Sequence, residues 1–150
     1  MRREDLLRQH KAEAVVVTCM DFRFCDQLRS AIKEAFNISA YDTIRLAGGA
    51  KNLSSPDADY RREVVLSDIA TACKLHDVKL VMLLNHEQCG AYAQAGHQFV
   101  DAQAESDFHA GELGKARTVV SESFPTTAVA SGLLLYNEDG TLGIHDIVRS

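Results

Sequence analysis

The chain has 150 residues, 46% hydrophobic and 25% charged, with a formal net charge of −5. That length suits one domain with a core of its own, and the composition excludes a disordered or low-complexity chain. The mild negative charge gives nothing to attract nucleic acid or an anionic membrane, and no apolar run approaches the roughly 20 residues of a membrane span.

The amino terminus is charged, and its first apolar stretch runs only from Ala14 to Val17. A secretory signal needs about 7–15 apolar residues there, so the expected location is cytoplasmic. AVVVT at 14–18 is a short β-branched run that reads as a buried strand. Residues 26–36 place Leu28, Ile32, Ala35 and Phe36 on one helical face, with Asn37 as the stop. YDTIRLAGGA reads as a second strand running into a glycine loop. SSPDADYRREVVLSDIATACKLH opens with helix-start residues and continues with Val65, Ile69, Ala72 and Cys73 at helical spacing.

KLVMLLNH, ending at His86, is the strongest strand signal in the chain. Residues 102–123 are polar but carry Leu113, Ala116 and Val120 at helical spacing. AVASGLLLYN and TLGIHDIV then flank Asp139-Gly140, a hairpin signal. This order predicts one α/β domain over residues 1–150. Its sheet is mainly parallel and flanked by helices, with an antiparallel C-terminal edge hairpin.

Two segments fall at the C-terminal ends of strands, where such sheets keep their ligands. Thr18 to Arg23, TCMDFR, follows the first strand, and Asn85 to Gly90, NHEQCG, follows the third. If those strands are neighbours, Cys19, His86 and Cys89 converge. Two thiolates and an imidazole suit Zn²⁺, and three protein ligands leave a fourth position open, as in catalytic zinc sites. A cysteine at a strand end is also an ordinary small hydrophobe, so the joint occurrence carries more weight than either segment. Alternate residues leaving a strand point the same way, which puts Asp21 and Arg23 beside Cys19. The Asp21 carboxylate can take the fourth metal position, or pair with the Arg23 fork and leave it open. The plain alternative is a surface ion pair of little worth.

Cys-x-Asp-x-Arg and His-x-x-Cys-Gly, together with Arg45-Leu46-Ala47-Gly48-Gly49-Ala50, resemble the β-class carbonic anhydrases over roughly residues 14–148. The resemblance implies a parallel sheet with an antiparallel edge, assembled at least as a homodimer, and reversible hydration of CO₂ to bicarbonate. It makes Cys19, His86 and Cys89 the zinc ligands. Asp21 would orient the zinc-bound hydroxide or, in a closed state, replace it, and Arg23 would hold Asp21 off the metal. Met20, Phe22, Asn85 and the Glu87-Gln88 pair depart from the family pattern, which bears on pocket shape, substrate and assembly more than on metal binding. Two other readings stand beside hydration: hydrolysis of a related linear molecule such as carbonyl sulfide or carbon disulfide, and a zinc-binding regulatory protein without turnover.

Other residues carry weaker expectations. Gly48 and Gly49 could offer N–H groups to an anion or form a tight turn. Cys25 and Cys73 are expected to pack as apolar residues. His76, His97, His109 and His145 are expected at surfaces or helix ends, any one able to shuttle protons. Tyr92 could line the pocket or pack on the next helix.

Overall fold

A computed structural model describes residues 1–150. Five strands form one sheet: β1 (Ala14–Thr18), β2 (Tyr41–Arg45), β3 (Leu80–His86), β4 (Ala128–Tyr136) and β5 (Leu142–Arg149), in the order β2-β1-β3-β4-β5. The first three pairings are parallel, and β4 with β5 is antiparallel. The fold class is therefore the expected one, with the hairpin turning at Asp139-Gly140. Every residue of β1 and β3 is buried, which is why both read as continuous apolar runs rather than alternating ones.

The chain also forms six helices: α1 (Arg3–Leu7), α2 (Leu28–Phe36), α3 (Lys51–Ser54), α4 (Asp59–His76), α5 (Gly90–Gln94) and α6 (Ala102–Ser123). On one face, Val15, Val17, Val81 and Leu83 meet Val65 and Ile69 of α4 and Leu113, Ala116 and Val120 of α6. On the other, Val16, Met82 and Leu84 meet Leu28, Ala31 and Ile32 of α2. Each such Val, Leu, Ile or Met side chain, once fully buried, contributes about 1.5–3 kcal/mol. None of the helices is long and apolar enough to cross a membrane.

Two local expectations need correction. In α2, Ala31 is buried with Leu28 and Ile32 while Ala35 is exposed, because the helix begins at Leu28 and its inner face turns one residue earlier. Asn37 does stop it, in a left-handed conformation at φ 56°. The helix expected from Ser54 onward begins only at Asp59, and a separate short turn of helix, α3, ends at Ser54. Ser54 and Ser55 are thereby free to bond elsewhere.

The strand order places the site. The chain goes from β1 to β2 on one side, then crosses by α4 to β3 on the other side of β1. Ligands bind at such a switch point, outside the carboxyl ends of the two diverging strands. Thr18 pairs with Leu84, so Cys19 and the Asn85-His86 end of β3 leave the sheet side by side.

Candidate metal centre

The ligand atoms of Cys19, His86 and Cys89 lie within 4.8 Å of one another, and all three residues are buried. Neighbouring donors of a tetrahedral zinc lie about 3.3–3.8 Å apart, given ordinary Zn–N and Zn–S lengths. The cluster is thus nearly closed to that spacing.

The imidazole is set for coordination. His86 Nδ1 lies 2.7 Å from the Glu87 carbonyl oxygen. A carbonyl only accepts, so Nδ1 carries the proton and Nε2 keeps a free lone pair. That Nε2 is buried with no hydrogen-bond partner. Metal-binding histidines have this arrangement, with the second ring nitrogen fixed by a carbonyl. Phe24 stacks on the ring at a centroid distance of 4.2 Å and fixes its tilt.

The two thiols act on each other. A hydrogen bond from Cys89 holds the Cys19 thiol well below the usual thiol range, against burial and with help from His86 and the Gly48 N–H. Cys89, as the donor to Cys19 and in the same buried place, is pushed up. A cation held there would favour loss of that remaining proton from Cys89, because a coordinating thiol ionises outright. The residues present therefore fit a metal such as zinc: two sulfurs and one imidazole whose Nε2 has no hydrogen-bond partner, gathered in one buried cluster.

The glycine loop serves Cys19 directly. Gly48 donates its N–H to Cys19 Sγ at 3.4 Å. Gly49, at φ 52°, lies so close that a Cβ would come within 2.8 Å of Cys19 N. The loop is the tight turn expected as one alternative, and the Gly48 N–H is directed at sulfur rather than at an external anion.

Asp21 and Arg23 pair beside the cluster. Arg23 donates Nη2 to Asp21 Oδ2 at 2.7 Å and Nε to Oδ1 at 3.1 Å, and its backbone N–H donates to Oδ1 at 2.9 Å. The Arg23 guanidinium and N–H hold the Asp21 carboxyl down to about 2. Asp21 Oδ2 is also 3.7 Å from His86 Nε2, so the pair faces the cluster. Met20 and Phe22 on either side of Asp21 are exposed.

A second layer was not visible in the sequence. Helix α6 presents Glu105, His109 and Glu112 at one-turn intervals toward the site. Glu105 Oε2 accepts the Gln88 N–H at 2.9 Å. Asn85 Nδ2 donates to His109 Nδ1 and to Tyr92 Oη, each at 3.2 Å. Tyr92 Oη donates to Glu112 Oε2 at 3.3 Å, and Ser54 and Ser55 donate to the same carboxylate. The network ties the residues flanking His86 and Cys89 to α3 and α6. Tyr92 is buried against Cys19 and Cys89, and burial pushes its phenol up, so it stays a donor.

His109 is 1% exposed, contrary to the surface expectation, and burial holds it down to about 4. Cys25 is exposed rather than packed, because the turn after Asp21 carries it outward; Cys73 is half-buried against the core. His76 is the last residue of α4, as expected of a helix end, and its Nδ1 meets Asp42 Oδ2 at 2.7 Å. A cavity of about 610 Å³ opens beside Cys89, between the Glu87-Gln88 loop, His97, Phe99 and Glu105.

Residues 9–140 match the model of a family described as "Putative carbonic anhydrase". The chain belongs to this family. An uncharacterized protein of Rickettsia conorii is 28% identical to it over 133 residues, covering 87% of this chain and 72% of that protein. Among solved structures, a β-carbonic anhydrase of Trichomonas vaginalis, isoform I, superposes with a TM-score of 0.53 at 14% identity, covering 96% of this chain and 97% of the other. A structure describing tetrameric β-carbonic anhydrases of Sordaria macrospora gives 0.50 at 13% identity, over 98% and 86%. The carbonic anhydrase family member described here thus has the β-class fold, and a Cys-His-Cys cluster that could hold a metal at the switch point of its sheet.

Proposed function

We propose that this chain binds one Zn²⁺ through Cys19, His86 and Cys89 and catalyses the reversible hydration of CO₂ to bicarbonate. The observation that carries the reading is the unpartnered His86 Nε2, buried between two thiols and facing an Arg-held carboxylate. Family membership supports the reaction class. A bound zinc supplies the acidity, lowering the pKa of its water to about 7.

The chain's own residues then divide the work. Asp21, held ionised by Arg23, accepts a hydrogen bond from the nucleophile's O–H and aims the opposite lone pair at the carbon of CO₂. Fixing that direction before reaction removes an entropy term from the barrier. Arg23 keeps Asp21 from swinging onto the metal position and neutralises its charge. Phe24 and Tyr92 wall the cluster with rings and exclude bulk water from the faces of His86 and Cys89. The reading takes residues 1–150 as a single domain. It also includes assembly of at least two copies: β2 leaves an open sheet edge, and one structural relative is described as tetrameric.

The test is stopped-flow proton release on adding CO₂ to metal-replete protein, with and without prior removal of metal by chelator. Rapid release that disappears with the metal and returns with Zn²⁺ is the expected result. Metal-replete protein that leaves the uncatalysed rate unchanged between pH 7 and 9 would remove the catalytic reading.

A further inference from the structure

Asp21 is poised between two partners. Its Oδ2 is 2.7 Å from Arg23 Nη2 and 3.7 Å from His86 Nε2. Oxygen and nitrogen donors of one tetrahedral zinc stand about 3.3 Å apart. The carboxylate therefore stands within roughly half an ångström of the oxygen–nitrogen separation that a shared zinc would need. Something must hold the arginine still, and an exposed Asp–Arg pair alone is worth little. Arg23 also sits in a three-residue 3₁₀ turn, Phe22–Phe24, with few bonds of its own.

The anchoring comes from a ring of hydrogen bonds that closes through β4. Tyr136, at the end of that strand, donates its Oη to the Arg23 carbonyl oxygen. The Tyr136 backbone N–H donates to Glu87 Oε1 at 3.0 Å. Glu87 precedes Gln88, whose carbonyl accepts Arg23 Nη2 at 3.2 Å. Arg23 is thus held at both ends, main chain by Tyr136 and side chain by the His86–Cys89 loop. The Phe24 ring fills the space between, 5.2 Å from Tyr136 and 4.2 Å from His86.

Resting on the zinc reading above, we propose that Tyr136 is a positioning residue that holds Arg23 and so keeps Asp21 off the metal. Without the Tyr136 hydroxyl, the Arg23 main chain loses its tie to β4 and the turn keeps local bonds: Phe24 N–H to Asp21 O at 3.2 Å, Cys25 N–H to Phe22 O at 3.3 Å and Arg23 N–H to Asp21 Oδ1 at 2.9 Å, with the side chain left on Gln88 O alone outside the turn. Arg23 then withdraws from Gln88, and Asp21 closes as a fourth protein ligand.

The sign of one measurement separates this from simple loosening. Zinc content of the parent is determined first; a parent that holds no zinc ends the zinc reading and this proposal with it. Zinc release to excess chelator is then timed for the parent, Tyr136→Phe, Asp21→Asn and the double variant. A fourth protein ligand slows release, so Tyr136→Phe releases zinc several-fold more slowly than the parent. The double variant returns to the rate of Asp21→Asn. In the same samples kcat for CO₂ hydration falls in Tyr136→Phe with KM unchanged, because fewer molecules are open. Co²⁺ loaded in place of zinc reports the same change as a visible-band difference that vanishes in the double variant. Release from Tyr136→Phe that is faster than or equal to the parent, or slowed release that persists in the double variant, overturns the proposal while leaving the zinc reading intact.

Discussion

Asp21 and His86 face each other across 3.7 Å, and the Asp21 oxygen nearest the imidazole is the one that Arg23 Nη2 holds at 2.7 Å. One carboxylate therefore lies beside the Cys19–His86–Cys89 cluster, on its His86 side, while its charge is paired with Arg23. Such a group can direct a reacting O–H without occupying the metal position. Asp21→Asn keeps the three cluster residues and the shape of the side chain, but removes the acceptor charge. It is expected to retain zinc and to lose about 100-fold in CO₂ hydration. Arg23→Ala is expected to lose activity by the opposite route, through a freed Asp21 that binds the metal. Zinc analysis and proton-release kinetics on both variants check this, and an Asp21→Asn protein as active as its parent rejects the role.

Glu105 reaches the same loop from α6, accepting the Gln88 N–H one residue before Cys89. Outer contacts of this kind commonly change metal affinity about 10–100-fold. Glu105→Ala is expected to weaken zinc binding by about tenfold, with faster release to chelator. Competition against a chromophoric chelator measures it. Unchanged affinity would show that the loop is held without α6.

Gly49 and Gly140 both have positive φ, at 52° and 84°, but only Gly49 is crowded. A Cβ there would come within 2.8 Å of Cys19 N and of the Thr18 carbonyl carbon, whereas nothing lies within 4 Å at Gly140. Gly140→Ala is expected to cost about 1 kcal/mol, from the left-handed backbone alone. Gly49→Ala is expected to cost at least ~2 kcal/mol more, because strand β1 and the loop must separate. Urea unfolding of the two variants gives the comparison, and equal costs would contradict the close approach.

His109 titrates near 4 rather than near 6.5, because burial disfavours its charged form. Between those values the unfolded chain binds more protons than the folded one, so stability falls as pH drops from about 6.5 to about 4 and levels off below. The contribution is up to ~3 kcal/mol, at 1.36 kcal/mol per pH unit. Urea midpoints of metal-free parent and metal-free His109→Gln, followed from pH 7 to 4, isolate it, since His86 is common to both. The parent is expected to lose more stability than the variant; parallel curves would mean that His109 is accessible to protons when folded.

Part of this was legible in the sequence for a physical reason. Strands β1 and β3 are buried on both faces, so AVVVT and LVMLLNH stand out as apolar runs. The Cys19–Arg23 and His86–Cys89 segments follow them directly. Asp139-Gly140 marked the hairpin through backbone preference alone. What stayed hidden depends on contacts between distant segments. Glu105, His109 and Glu112 look like the solvated side of a polar helix until α6 is laid against the end of β3. Tyr136 looks like a strand-end aromatic until β4 brings it to Arg23. The separation of α3 from α4 was masked because Ser54, Ser55 and Pro56 all carry helix-start preference, while the two serines bond Glu112 instead. Cys25 was expected inside on residue type, but a 3₁₀ turn has too few residues to carry it back to the core.

The most direct test of the account is the zinc content of the purified chain beside that of Cys89→Ser, both reconstituted with excess Zn²⁺ and desalted before metal analysis. About one zinc per chain in the parent, and a small fraction of that in the variant, is the predicted result. Equal zinc in the two proteins, or none in the parent, would contradict a metal centre built from Cys19, His86 and Cys89.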